Sequence, residues 1–305
     1  MTDIPPYVER IVAEALDGEV VTARHPTAGA VAETYQLDLA DGRQVVCKLG
    51  GRSIWTGSVV EPLVVDLVGE HTTLPVPPVV ATGSVTGLDS LDRWAVYGRL
   101  DGTVPRNLEG KGKATLVAAA GAMLGELHAV FTFDRIGGLV REGGSLRLVE
   151  PSPRNVFVSR PARKLRRRRD TPESFVLGHG DYQPGNLLVD DGAVTGVLDW
   201  GNAHVTEATY AFARAEARFV DLTTPSLTER EGFRERFRSA YRQAQPSENV
   251  AFGLVPAYKL LWLGQSARNL AGVASTSWGR TQLWRQLTNW GARTSKSIFD
   301  SPRHN

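Results

Sequence analysis

Three oxygen-bearing side chains lie close together in one stretch, His179 to Gly201, which reads HGDYQPGNLLVDDGAVTGVLDWG. Asp181 follows a His-Gly turn, Asn186 comes five positions later, and Asp199 opens an Asp-Trp-Gly. Two apolar segments, Leu187–Val189 and Val194–Leu198, run between them on either side of Asp191-Gly192. Asp-Gly between apolar segments is the strongest short-range signal for a β-hairpin. A hairpin closed at Asp191-Gly192 puts Asn186 near Val197, with Asp199 just beyond at the same end. Asp181 enters that end from the preceding loop. A carboxylate, an amide and a second carboxylate therefore converge at the open end of one hairpin. Hard divalent cations such as magnesium take oxygen ligands of this kind. The rival reading is a core hairpin with a polar approach loop.

H-x-D, an Asn five residues after the Asp, and a second Asp opening D-W-G resemble the catalytic and metal loops of eukaryotic-like kinases. The wording HGDYQPGN, with no Arg before the Asp, resembles the aminoglycoside phosphotransferase and choline kinase-like branch more than protein kinases. The resemblance implies an α+β, bilobal protein kinase-like fold. An N-terminal antiparallel sheet lobe, residues 1–100, would bind the nucleotide, and a mainly helical C-terminal lobe, residues 101–305, would bind the acceptor. It implies ATP (or GTP) and Mg2+ as cofactors and a small hydroxyl-bearing molecule as substrate. Asp181 would orient the acceptor hydroxyl and take its proton late in the transfer. Asn186 and Asp199 would hold the magnesium. The place of His179 suits bonding to backbone near the metal loop rather than catalysis.

Other residues support this centre by position. Lys48 sits in VVCKL, a strand sequence. A solvent-facing strand Lys is the plain alternative, but Lys48 follows a strand–loop–strand element and precedes a helix, as the phosphate-binding Lys of kinases does. Glu61 is its candidate partner, with Glu70 as substitute. Ser58-x-x-Glu61 is also a capping box, which needs no functional role, and Pro62 makes the helix start uncertain. The loop His25–Glu33 would cover the nucleotide phosphates, although Gly29 is its one glycine. Backbone near Tyr97–Arg99 would read the adenine edge.

The elements that must position these residues follow from periodicity. Tyr7–Leu16 reads as an amphipathic helix, and Glu19–Ala23, Thr34–Leu39 and Gln44–Leu49 read as strands. A helix is expected from Ser58 to about Gly69, then an extended, proline-rich link over Leu74–Val80 in which a free polyproline ligand is the rival reading. Trp94–Leu100 reads as a strand and Lys113–Val130 as a helix, in which His128 is expected to pack in the core. Residues 131–176 read as loops, marked by Gly137-Gly138 and Gly143-Gly144. After Asp199 the pattern is helical: 208–220, a capped helix from Ser226 carrying Phe233, Phe237 and Tyr241 on one face, then about 256–270 and 281–290. Trp262, Trp284 and Trp290 are expected in the core. In the resembled family an Asp on the helix after the metal loop braces the catalytic loop. Ala211 stands in its place, which takes away that brace but not the chemistry of the loop.

Composition bounds the rest. The 305 residues are 42% hydrophobic and 22% charged, as in ordinary globular chains, with net charge +2. A single cysteine, Cys47, excludes an internal disulfide, and no apolar run is long enough to span a bilayer. The expectation is a cytoplasmic protein, a monomer or weak dimer, with no membrane partner. The run Arg163–Arg169 could bind nucleic acid, but no aromatic residue interleaves it, and a mobile surface loop is the expectation. A nucleotide-binding protein with little transfer activity is the other alternative. Residues 201–305 hold 14 Lys and Arg against 8 Asp and Glu. That excess favours a neutral or anionic acceptor over a polycationic aminoglycoside.

Overall fold

Alternating apolar residues build the first sheet. Its strands are β1 (Val20–Arg24), β2 (Ala32–Leu39), β3 (Gln44–Gly50), β4 (Val79–Ser84) and β5 (Arg93–Gly98), antiparallel in the order β1-β2-β3-β5-β4. On one face, Tyr35, Leu37 and Leu39 of β2 join Val45, Cys47 and Leu49 of β3 under helix α1 (Pro6–Leu16). The strand period of two sends Thr34, Val46 and Lys48 to the other face, which lines a cleft. This is a computed structural model describing residues 4–26, 32–87, 92–106, 109–151, 164, 165, 167, 174–224 and 226–273, with side chains as far as residue 266. Gly29, most of Arg163–Arg169, Trp284, Trp290 and the helix expected over 281–290 lie outside those residues.

Helix α2 runs Glu61–His71, three residues later than Ser58. Pro62 explains the start: in the first turn its missing N–H has no intrahelical partner to lose. The Ser58 capping box does not form. Ser58 Oγ accepts instead from the Arg141 amide at 3.0 Å. Val64, Val65 and Val68 of α2 are buried in the larger of two cores. The proline-rich link leads directly into β4, so it is an approach to a strand and not a free ligand motif.

The second half holds helices and a further sheet. Helix α3 is Gly110–Val130. The stretch expected as loops instead forms β6 (Thr132–Phe133), β7 (Gly137–Glu142) and β8 (Ser145–Val149). With β9 (Phe175–Gly178) and β12 (His204–Glu207) they make an antiparallel sheet in the order β6-β9-β12-β7-β8. Gly137 and Gly138 are strand residues where a Cβ would collide with the Val149 carbonyl and the Thr56 side chain. Close approach, not a turn, requires them. Gly143, at φ +61, does sit in the β7–β8 turn.

Helix α4 (Ala208–Glu216) passes into a π-turn, Ala217–Asp221. Helix α5 is Leu227–Ala244, capped by Ser226 Oγ, which accepts from the Glu229 amide at 3.3 Å as its sequence predicts. Phe237 and Tyr241 are buried, and Phe233 packs against them. Helix α6 is Val255–Val273 and buries Trp262. His128 packs in the core, its Nδ1 2.9 Å from the Tyr241 hydroxyl. The bilobal, kinase-like α+β architecture is therefore present. No helix among the described residues is long and apolar enough to cross a membrane.

Candidate active site

The hairpin forms where Asp-Gly predicts it. Strands β10 (Leu187–Asp190) and β11 (Ala193–Val197) pair with Asp190 opposite Ala193 and Leu187 opposite Val197. Asp191 and Gly192 have φ of 44° and 79°, left-handed at both central positions as a type I′ turn requires. At the open end the Leu198 amide donates to the Asn186 carbonyl at 2.8 Å. Asn186 and Asp199 thus both line the cleft, and Asp199 itself is held at φ 66°, ψ 60°.

Asp181 joins them through hydrogen bonds. Asn186 Nδ2 donates to the Asp181 carbonyl at 2.9 Å and to its Oδ2 at 3.0 Å, and Gln183 Nε2 donates to Oδ2 at 2.8 Å. This fixes the amide so that Asn186 Oδ1 remains for another partner. His179 accepts the Asp181 amide on Nδ1 at 3.1 Å and donates from Nε2 to the Leu198 carbonyl at 3.0 Å. One neutral imidazole therefore ties the Asp181 loop to the Asp199 loop, as expected of a structural histidine. Burial keeps it neutral, lowering its pKa to about 4. Gly180, at φ +84, packs where a Cβ would collide with the Asn202 carbonyl.

Lys48 reaches this end from the first sheet. Its Nζ lies 2.8 Å from Glu61 Oε1 and 3.7 Å from Asp199 Oδ1. Glu61 Oε1 also accepts the Trp200 amide at 3.3 Å, so one buried carboxylate spans both lobes. Glu70 is exposed at the far end of α2 and takes no part. The nearby carboxylates raise the Lys48 pKa against the opposing effect of burial, the largest single influence, so the ammonium stays charged. The cleft they line has a volume of about 980 Å3.

Two backbone amides of the linker after β5 are already in use. The Gly98 and Arg99 amides are already donated, to the Pro78 carbonyl at 2.9 Å and the Gln44 carbonyl at 3.0 Å. The Tyr97 side chain is buried, and Arg99 Nη1 lies 3.5 Å from Asp38 Oδ1. Among the described residues, the Leu100 amide on the cleft wall donates to nothing, so it stays available beside the Tyr97–Arg99 stretch. Beyond it, Thr103 and Val189 exchange backbone bonds of 3.0 and 2.9 Å, clamping the linker to the β10–β11 hairpin.

Three features of the site escaped sequence reasoning. Arg218 Nη1 forms a short ion pair with Asp181 Oδ1, and Arg214 Nη2 lies 3.3 Å from the same oxygen. Their spacing of four near the end of α4 was the available signal. Trp55 Nε1 donates to the Asn202 carbonyl and the Ile54 amide to Asn202 Oδ1, both at 3.0 Å, so the segment before α2 straps onto the loop after Asp199. Where the resembled family braces the loop with Asp, Ala211 borders a cavity of about 20 Å3 shared with His204, Thr206 and Arg214. His204 Nε2, Thr206 Oγ1 and Arg214 Nε are buried there without a hydrogen-bond partner among the described residues. His179 and the two arginines brace the loop instead.

The donor set suits magnesium. Asn186 offers one amide oxygen and Asp199 one carboxylate, and no cluster of three His, Cys, Asp or Glu lies among the described residues. Magnesium prefers one or two protein ligands, completed by phosphate and water oxygens. Residues 22–247 match the sequence profile described as the phosphotransferase enzyme family. The chain belongs to that family. No curated protein sequence matches this phosphotransferase. Among solved structures, amicoumacin kinase hAmiN in complex with AMP-PNP, Ca2+ and Ami is similar to it, with TM-score 0.66 and 15% identity over 89% of this chain and 88% of that one. A thermostable mutant of aminoglycoside phosphotransferase APH(4)-Ia, in ternary complex with ADP and hygromycin B, gives 0.59 and 16% over 93% and 99%. Macrolide 2'-phosphotransferase MphH from Brachybacterium faecium gives 0.54 and 20% over 99% and 100%. At these identities the likeness to solved structures shows the fold of the phosphotransferase and nothing finer.

Proposed function

We propose that this phosphotransferase moves the γ-phosphoryl group of ATP, with magnesium, to a hydroxyl of a small molecule. The observation that carries the reading is the meeting of Lys48, Glu61, Asn186 and Asp199 at one cleft, with Asp181 hydrogen-bonded to Asn186 beside it. Structural relatives that hold ADP or AMP-PNP support a nucleotide in the cleft. The Gly98 carbonyl and Leu100 amide would meet the base, a pair that accommodates ATP and leaves GTP open. Residues 1–100 would carry the nucleotide and residues 101–305 the acceptor. Lys48 would neutralise phosphate oxygens as charge builds on them, while Glu61 keeps its ammonium in place. Asn186 and Asp199 would hold the magnesium, which supplies charge neutralisation on the phosphates. Asp181 would orient the acceptor hydroxyl and receive its proton. The single cysteine, buried and free, suits work in a reducing cytoplasm.

The test is a broad acceptor screen with ATP and magnesium, repeated with Asp181→Asn. Loss of a positioned base lowers turnover by about a hundredfold or more. ATP affinity measured by calorimetry should stay within about twofold. Near-wild-type turnover in the variant would remove Asp181 from its role. ATP binding without transfer to any acceptor would favour a nucleotide-binding protein with little activity.

A further inference from the structure

Resting on that reading of Asp181, we infer that Arg214 and Arg218 form an anion-holding subsite beside it. The acceptor hydroxyl then belongs to a small compound that itself carries a negatively charged group.

Two guanidinium groups converge on one carboxylate oxygen, Asp181 Oδ1. Neither has another hydrogen-bond acceptor among the described residues, and Arg214 Nε is buried with none. The acids on the same helix end and π-turn are committed elsewhere. Glu216 pairs with Arg234, Arg238 and Lys259, and Asp221 with Arg234 and Lys259. His179 is neutral. The two arginines thus carry one positive charge more than the single carboxylate they share.

The two arginines are also built to receive an anion. Their side chains keep 15% and 19% of their surface exposed, enough to be reached without being solvated like free surface groups. The Arg218 guanidinium lies 5.5 Å from the centre of the Trp262 ring, which supports its plane. A planar guanidinium fork binds carboxylate and phosphate through paired hydrogen bonds, which a point charge cannot copy. Arg218 sits in a π-turn, a distortion often found at functional sites.

The subsite has a consequence for catalysis. Asp181 Oδ2 is held by Asn186 and Gln183, and Oδ1 is covered by the arginines. An acceptor whose anion draws Arg218 away uncovers Oδ1 for its own hydroxyl. That hydroxyl oxygen then forms the new bond to the γ-phosphorus as the bond to the β–γ bridging oxygen breaks. ADP leaves with the bonding electron pair, and the hydroxyl proton passes to Asp181. A neutral polyol or a polycation leaves the arginines where they are.

Two measurements test this. The first is NMR of 15N-arginine-labelled protein titrated with inorganic phosphate and, separately, with acetate. Saturable shifts of the Arg214 and Arg218 signals are expected, with affinity lowered at least tenfold in Arg218→Gln and partly restored in Arg218→Lys. A response to phosphate alone specifies a phosphate ester, and a response to both admits a carboxylate. No saturable shift with either anion in the wild-type protein overturns the subsite, whatever the variants do. The second compares matched acceptors with ATP and magnesium: glycerate with glycerol, glucose 6-phosphate with glucose, and kanamycin as a polycation. Preference for the charged partner by a hundredfold or more in kcat/KM is expected. Equal or better use of the neutral or cationic compounds overturns the inference and leaves the kinase reading standing. Anion binding without transfer to any hydroxyl has the opposite meaning: the subsite stands and the kinase reading falls.

Discussion

At the scale of single residues, Gly180 carries the tightest constraint in the site. It combines φ +84 with a position where any Cβ meets the Asn202 carbonyl. Asn202 is itself fixed by Trp55 and Ile54, so it cannot retreat. An L-residue here faces both the left-handed penalty and a backbone clash. Gly180→Ala is expected to displace Asp181 from Asn186 and lower turnover at least tenfold, while ATP affinity changes little. Steady-state kinetics beside calorimetric ATP binding checks this, and unchanged turnover would mean that the loop is not held against Asn202. The convergence of Asp181, Asn186 and Asp199 was legible because their spacing is local: all three lie in or next to the loops at the open end of one hairpin. Arg214 and Arg218 were not, because nothing in a helical Arg spacing says which carboxylate it meets. Which backbone amides near Tyr97–Arg99 remain free was not legible, since only the register shows that the Gly98 and Arg99 amides are already used.

At the scale of elements, α3 and α5 meet more closely than ordinary side chains permit. A Cβ on Gly125 would lie 2.6 Å from the Tyr241 carbonyl, and one on Gly121 would collide with the Phe237 carbonyl. Both obstacles are backbone, so no rotamer change relieves them. Gly121→Val must push the helices apart, loosening Phe237 and Leu124 in the core between them. Overpacking of this kind costs about 1–3 kcal/mol, and the β-branched side chain adds a helix-propensity penalty smaller than the gain from replacing Gly. Urea unfolding should show that loss with an unchanged slope; a neutral or stabilising result would mean that the helices sit farther apart. Four strands of the first sheet and the described helices were readable from period-two and period-3.6 patterns, whereas β4 was read only as an extended link. The second sheet was not, because β7 starts with Gly137-Gly138 and β6 has only two residues. Glycines chosen for close approach look in sequence like glycines chosen for turns.

At the scale of the whole molecule, buried histidines couple folding to pH. His128, His179 and His204 are each buried, and burial lowers their pKa values to about 3, about 4 and about 4. The geometry agrees. His128 donates to the Tyr241 hydroxyl, which donates onward to Asn249 Oδ1 at 3.0 Å, so a second ring proton on Nε2 would find no acceptor. His204 uses Nδ1 on the Asn202 carbonyl at 3.0 Å and likewise has no partner at Nε2. In the unfolded chain all three take a proton near pH 6.5. Above that pH both states are neutral and their contribution is complete. Below it the unfolded chain binds protons that the folded one refuses, so stability falls until the folded pKa values are reached. Each histidine contributes a slope of up to about 1.4 kcal/mol per pH unit, about 4 for the three together. Against a total of about 5–15 kcal/mol, that is a large share of the stability lost as the pH falls below 6.5. Asp181 and Glu216, whose pKa values are lowered by their cationic neighbours against burial, add losses in the same direction only below about pH 4.5. The upper part of the window therefore belongs to the histidines. Urea unfolding from pH 7 to 4.5 should give a proton uptake approaching three, and His128→Gln should reduce it by about one. A flat profile between pH 6.5 and 4.5 would show that these imidazoles titrate normally in the folded state.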